Sequence, residues 1–212
     1  MSLVRCLSLL VSVSLIGACS PEVGKQYIKP DDIKDIKQDK PIGKYAPPKV
    51  DILFIIDDSG SMGSYQAALT KNLPIFLNEF TTKTDINYNI AVINSSCDSR
   101  CGNFVGTTKV VNRATVDGLN ILKKNVVVGT SGDTEEKFFD PLVAAFTEPT
   151  LSTVNKDFLR KRVPLAVIFL TDAEDQSRKF DAKGTLDFLV KVKDNRADNL
   201  LGYGVYIPQW FM

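Results

Sequence analysis

The stretch Val50-Asp51-Ile52-Leu53-Phe54-Ile55-Ile56 is almost unbroken in large and β-branched apolar residues, and it stops abruptly at Asp57-Asp58-Ser59-Gly60-Ser61-Met62. A strand with one wet face alternates apolar and polar residues. A run without alternation marks a strand covered on both faces, as in a parallel sheet. Pro164-Leu165-Ala166-Val167-Ile168-Phe169-Leu170 has the same character and ends in Thr171-Asp172-Ala173-Glu174-Asp175. Working outward, Tyr88 to Ile93 reads as a strand, Lys109 to Val111 as a short one and Leu200 to Ile207 as the last. Between them lie helical stripes. Ser64 to Phe80 carries Tyr65, Leu69, Leu73, Phe76, Leu77 and Phe80, with Pro74 expected to kink or break it. Glu135 to Phe146 holds an awkward interior Pro141, and Thr185 to Lys193 places Leu186, Leu189 and Val190 on related faces. Alternating strands and helices predict an α/β fold: a doubly wound, mostly parallel sheet flanked by helices in three layers.

Composition narrows the chemistry. The chain has 212 residues, 44% hydrophobic and 24% charged, which suits a folded domain and excludes collagen, coiled coil and wholesale disorder. Lys plus Arg is 26 against 25 for Asp plus Glu, so nothing pulls the chain toward nucleic acid. Histidine is absent. A Ser-His-Asp triad, a Cys-His pair and a His-ligated zinc are thereby excluded, leaving carboxylates, Lys, Tyr or a metal held by oxygen.

The N-terminus reads as an address. Arg5 precedes an apolar run from Leu7 to Ile16, too short to span a bilayer and suited to a secretory signal. Leu15-Ile16-Gly17-Ala18-Cys19 resembles the lipobox of bacterial lipoproteins, which implies cleavage before Cys19 and lipidation of that residue, palmitate among its chains. Ser20 after the Cys implies sorting to the outer membrane in a Gram-negative envelope. Prolines alternating with Lys and Asp then predict a solvated tether. The expected organisation is a signal over 1–18, a lipidated tether over 19–48 and a folded domain over 49–212.

In an open α/β sheet, ligands gather at the carboxyl ends of the strands. Both buried runs end there in acidic turns, and carboxylates with hydroxyls suit a hard divalent cation. Gly60 lets the turn close so that Ser59 and Ser61 can address one ion.

Asp57-x-Ser59-x-Ser61 after one apolar strand, with Thr171-Asp172 after another, resembles the metal-ion-dependent adhesion site of the von Willebrand factor type A domain. The resemblance covers about Val50 to Ile207. It implies that Ser59 and Ser61 hold the ion directly, that Asp57 and Asp172 do so directly or through water, and that a middle-loop threonine joins them. Thr134 matches that threonine best; Thr130 is the alternative, and Asp133 can replace or join either. It also implies Mg²⁺, with Mn²⁺ or Ca²⁺ as alternatives, and a protein partner offering an acidic side chain. Binding is then expected, not catalysis. Two other readings stay open. One is a metal-free scaffold of the envelope. The other is a hydrolase like haloacid dehalogenase-type phosphatases, although Ser59 stands where their second aspartate belongs.

The remaining signals are simpler. Cys97 and Cys101 in a secreted domain are expected to pair. Asp58, Glu174 and Asp175 read either as negative charge favouring the ion or as solvated loop charge. Lys156, Arg160, Lys161 and Arg162 read as a solvated basic face. Type A domains usually continue past the last strand with a helix and often a strand, whereas this sequence stops at Met212; the domain is then either minimal or a truncated or frameshifted product, and a missing terminal helix would expose an apolar sheet face.

Overall fold

The computed structural model describes residues 47–78, 85–133 and 135–206, with the backbone alone for 203–206. The expectations for the signal, Cys19, most of the tether, Phe80, Thr134 and the tail after Tyr206 lie outside the described residues.

Five strands form one sheet: β1 (Lys49–Ile56), β2 (Asn87–Asn94), β3 (Val111–Asn112), β4 (Leu165–Thr171) and β5 (Leu200–Tyr206). Their spatial order is β3-β2-β1-β4-β5. β1 is parallel to both β2 and β4, and β4 is parallel to β5; the two-residue β3 alone runs antiparallel. The fold is therefore the three-layer α/β arrangement expected. β1 sits at the centre because every side chain from Asp51 to Ile56 is buried, so no position could face water.

Among the described residues, four helices flank the sheet: α1 (Gly63–Asn78), α2 (Gly118–Asn125), α3 (Phe139–Ala145) and α4 (Ala182–Val192). On one face Ile52, Phe54 and Ile56 pack with Leu73 of α1 and Leu122 of α2. On the other, Leu53, Ile55 and Val167 pack with Leu142 of α3 and Leu189 of α4. Alternation along β1 thus feeds two cores, which is why both parities had to be apolar. An apolar cleft of about 530 Å³ opens on the α1 face, lined by Ile52, Phe54, Leu69, Ile168 and Leu201 among others.

Three helix expectations change. α1 runs through Pro74 instead of ending there. Losing one N–H costs a helix bond, but Leu73 and Leu77 are buried on either side and hold the helix to the sheet. α3 begins at Phe139, not Glu135, because the Phe138 and Phe139 amides both donate to Asp175 Oδ1 (2.7 and 3.2 Å) instead of entering a helical ladder. Pro141 then falls in the first turn, where the missing N–H has no helical partner to lose. α2 was not foreseen at all. Leu119 and Leu122 are its apolar signal, and eight residues give too little periodicity to stand out.

Candidate metal centre

Parallel register between β1 and β4 aligns Ile56 with Leu170, so the residues that follow each strand emerge side by side. The backbone keeps them together for one more step, with Asp57 N donating to Leu170 O at 3.0 Å. This is also where the connections diverge, β2 to one side of β1 and β4 to the other, the usual crevice of a doubly wound sheet.

Asp57 is fully buried. Its Oδ1 accepts the Ser59 N–H at 2.8 Å and its Oδ2 accepts from Thr171 Oγ1 at 3.0 Å. The first bond is an Asx-type turn that bends the chain sharply after the strand. The following residues form a single 3₁₀ turn, Gly60–Met62, with Met62 inserted in the core. That turn brings Ser59 Oγ and Ser61 Oγ within 3.1 Å of each other. Asp172 supplies the second carboxylate. It is 2% exposed, and among the described residues neither of its oxygens has a hydrogen-bond partner. A buried carboxylate without a donor costs several kcal/mol, on the order of what an ion or a missing donor would have to return.

A third carboxylate joins them. One oxygen each from Asp57, Glu136 and Asp172 lie within 4.8 Å of one another. Glu136 precedes α3 and is half-buried. Burial and the negative charge of Asp57 push its carboxyl above the ordinary range, with a further push from Asp172 and an opposing hydrogen bond with Ser59. Sequence reasoning missed it. It sits in Thr134-Glu135-Glu136-Lys137, where the acids read as the opening of a helix.

The expected ligands divide clearly. Asp57 and Asp172 lie together, and the Ser59 and Ser61 hydroxyls meet in the turn just after Asp57. Thr134 lies outside the described residues. Thr130 is exposed and lies over the start of α1, where a Cβ on Gly63 would meet its methyl at 3.5 Å. Asp133 is exposed, with its N–H bound to Ser96 Oγ at 3.0 Å.

The extra acids do other work. Asp58 faces away from Asp57 and accepts from Asn94 Nδ2 (2.7 Å), Ser95 Oγ (2.8 Å) and Ser96 Oγ (2.9 Å), tying β1 to the end of β2. Its carbonyl also takes the Gly132 amide at 2.8 Å, and a Cβ on Gly132 would come within 2.3 Å of its carboxylate. Asp58 is therefore a brace, neither an ion-attracting charge nor a solvated one. Asp175 caps α3 as described, and only Glu174 is left exposed. A second brace is Gln66 of α1, buried, whose Nε2 donates to Asp57 O (3.0 Å) and Gly129 O (2.7 Å). Its position on the inward stripe with Met62, Leu73 and Leu77 was the available signal, since a polar residue there must have a partner.

The segment carrying Glu136 is laced to the segment after Asp172. Gln176 N donates to Glu136 O at 2.8 Å, and the Arg178, Lys179 and Phe180 amides all donate to the Asp140 carboxylate at 3.1 Å. An ion pair of Glu135 with Arg178 adds to the lacing. Cys97 and Cys101 form the expected disulfide. Their loop borders a polar cleft of about 380 Å³ lined by Arg100, Asn103, Phe104 and Thr130 among others.

This donor set is oxygen only: two buried carboxylates, one half-buried carboxylate and two hydroxyls. It fits a hard divalent cation, and the unpartnered Asp172 oxygens are what such an ion would satisfy.

Comparison with solved structures returns proximal thread matrix protein 1 (PTMP1) from the mussel byssus. One such structure, titled with a zinc-occupied MIDAS motif, has a TM-score of 0.45 and 16% identity over 74% of this chain and 35% of that one. Two further PTMP1 structures score 0.41 and 0.40 at 14% identity. The chain spans about a third of the length of these proteins. No protein-family model matches the chain, and no curated protein sequence does. The fold assignment rests on strand order and layering, not on this likeness.

Proposed function

We propose that this chain is a lipid-anchored envelope protein whose α/β domain, of von Willebrand type A character, binds a divalent cation and through it an acidic protein ligand. The observation that carries the reading is Asp172. Among the described residues both its oxygens are buried without a donor, beside the Asp57 carboxylate, and a bound cation would offset the cost of burying that charge.

The chain's own residues do most of the work. Asp57 and Asp172 supply charge from positions fixed by β1 and β4, while Ser59 and Ser61 supply neutral oxygens from a tight turn. Gln66 and Asp58 hold that turn against α1 and β2. The bound cation adds a Lewis-acid point charge that an incoming carboxylate can meet. Oxygen donors held in place around one ion suit keeping a ligand on it, so the reading is binding and not turnover. The lipobox-like segment around Cys19 supports anchoring to the outer membrane, and Mg²⁺ is the expected ion, ahead of Mn²⁺ and Ca²⁺.

The test is a thermal melt of the chain with millimolar Mg²⁺ and with EDTA. Cation at about 100 times Kd adds roughly 2.7 kcal/mol, several degrees in Tm. That shift should vanish in Ser59→Ala with the metal-free melt unchanged. A cooperative melt indifferent to Mg²⁺, Mn²⁺ and Ca²⁺ would overturn the reading in favour of a metal-free scaffold.

A further inference from the structure

We infer that Glu136 is a resident third carboxylate ligand of the cation, and that it competes with any acidic partner for the ion. The inference rests on the metal-binding reading above and goes beyond it, because the ligand pattern recognised in the sequence contains no glutamate.

Three observations carry it. The Glu136 oxygen lies within 4.8 Å of an oxygen from each of the two buried aspartates, close enough for one ion to meet all three. Asp172 is buried with both oxygens unpartnered among the described residues, a charge that a cation beside it would satisfy. Glu136 is also positioned rather than free. Its carbonyl takes the Gln176 amide, and the Asp175 side chain takes the amides of Phe138 and Phe139 just beyond it. The glutamate is therefore delivered by the loop that follows Asp172 itself.

Competition follows from charge and exposure. Three carboxylates carry more negative charge than a divalent ion cancels, so a fourth adds repulsion that withdrawal of one of the three relieves. Asp57 and Asp172 are 0% and 2% exposed and cannot withdraw without opening the core. Glu136 is only half-buried, on a side chain long enough to swing aside. An acidic partner reaches the ion by replacing Glu136. Neutral or water-rich ligands do not need to.

The experiment uses the full chain with metal alone. Mg²⁺ and Mn²⁺ affinities are measured by calorimetry for the wild type, Glu136→Gln and the neighbouring control Glu135→Gln. Terbium bound in the same site reports coordinated water through its luminescence lifetime in H₂O and D₂O. Loss of an outer-shell partner typically weakens metal about tenfold or more, so removal of a direct ligand sets at least that expectation for Glu136→Gln. The variant should also hold one more water on terbium. Acetate should then displace water from terbium in Glu136→Gln at concentrations that leave the wild type unchanged. Metal affinity and water count equal to wild type in a folded Glu136→Gln, judged by circular dichroism, would overturn the inference while leaving the metal site standing. An equal acetate response in both proteins would overturn the competition. Wild-type protein that binds neither Mg²⁺, Mn²⁺ nor terbium would overturn this inference and the proposed function together.

Discussion

The two ends of the central strand pair present the same residue type in opposite conditions. At the amino edge, Asp51 is fully buried, and it accepts Arg160 N and Nε at 2.9 and 2.7 Å. Arg160 then bridges onward to Asn87 and the Val50 carbonyl, and Lys193 Nζ donates to its carbonyl at 3.0 Å. At the carboxyl edge, Asp172 is 2% exposed and has no donor among the described residues. Burial alone therefore says nothing about role. A buried charge with its partners in place is a structural clamp, and one without them is a candidate ligand site.

The clamp should break hardest. Arg160→Ala leaves Asp51 buried and uncompensated, and should cost about 3–5 kcal/mol in denaturant unfolding. A loss below about 1 kcal/mol would mean that water reaches Asp51 and the contrast is false. The open end should respond in the reverse sense. Asp172→Asn removes the unpaired charge, so metal-free stability should rise by about 1–3 kcal/mol while the response to Mg²⁺ disappears. A variant less stable than wild type in EDTA would show that Asp172 has a partner after all.

The disulfide tests whether the loop beside the site is part of the open end or a separate staple. Cys97→Ser with Cys101→Ser opens a very short loop, and entropic closure predicts a loss of about 2 kcal/mol. Unchanged Mg²⁺ affinity in that variant would make the bridge a local staple. The smallest effect belongs to Lys193. Burial holds its ammonium below the usual lysine range, and Asp51 opposes that shift. A depressed lysine contributes stability that is complete above its ordinary pKa of 10.5 and is lost as pH falls through the folded value. Wild-type stability should therefore gain slightly on the alkaline side relative to Lys193→Met, read as the difference between the two pH profiles.

Much of this was legible in the chain. β1 and β4 announced themselves because parallel interior strands tolerate no polar alternation, and the acidic turns after them followed from strand ends sharing one edge. Asp57, Ser59, Ser61 and Asp172 were readable because their spacing lies within one turn or directly after a strand. Glu136 was not, since its approach depends on hydrogen bonds to a loop some forty residues on, with Asp175 taking amides that helical spacing had assigned to α3. Arg160 was misread for a related reason. Its four-residue basic surroundings look solvated, and only the fold brings Asp51 beneath it. Asp58 shows the limit of composition. Adjacent aspartates after one strand point to opposite sides, so one serves the site and the other braces it.

The lacing between the segment before α3 and the segment after β4 has a consequence in time. The amides of Phe138, Phe139, Arg178, Lys179 and Phe180 are each held by a carboxylate rather than by water. Surface loops commonly trade their amide hydrogens with solvent quickly. These five should trade them slowly, at rates closer to those of a strand than of a loop. The walls of the site would then already be still before any ion arrives, and capture would cost little ordering of the chain.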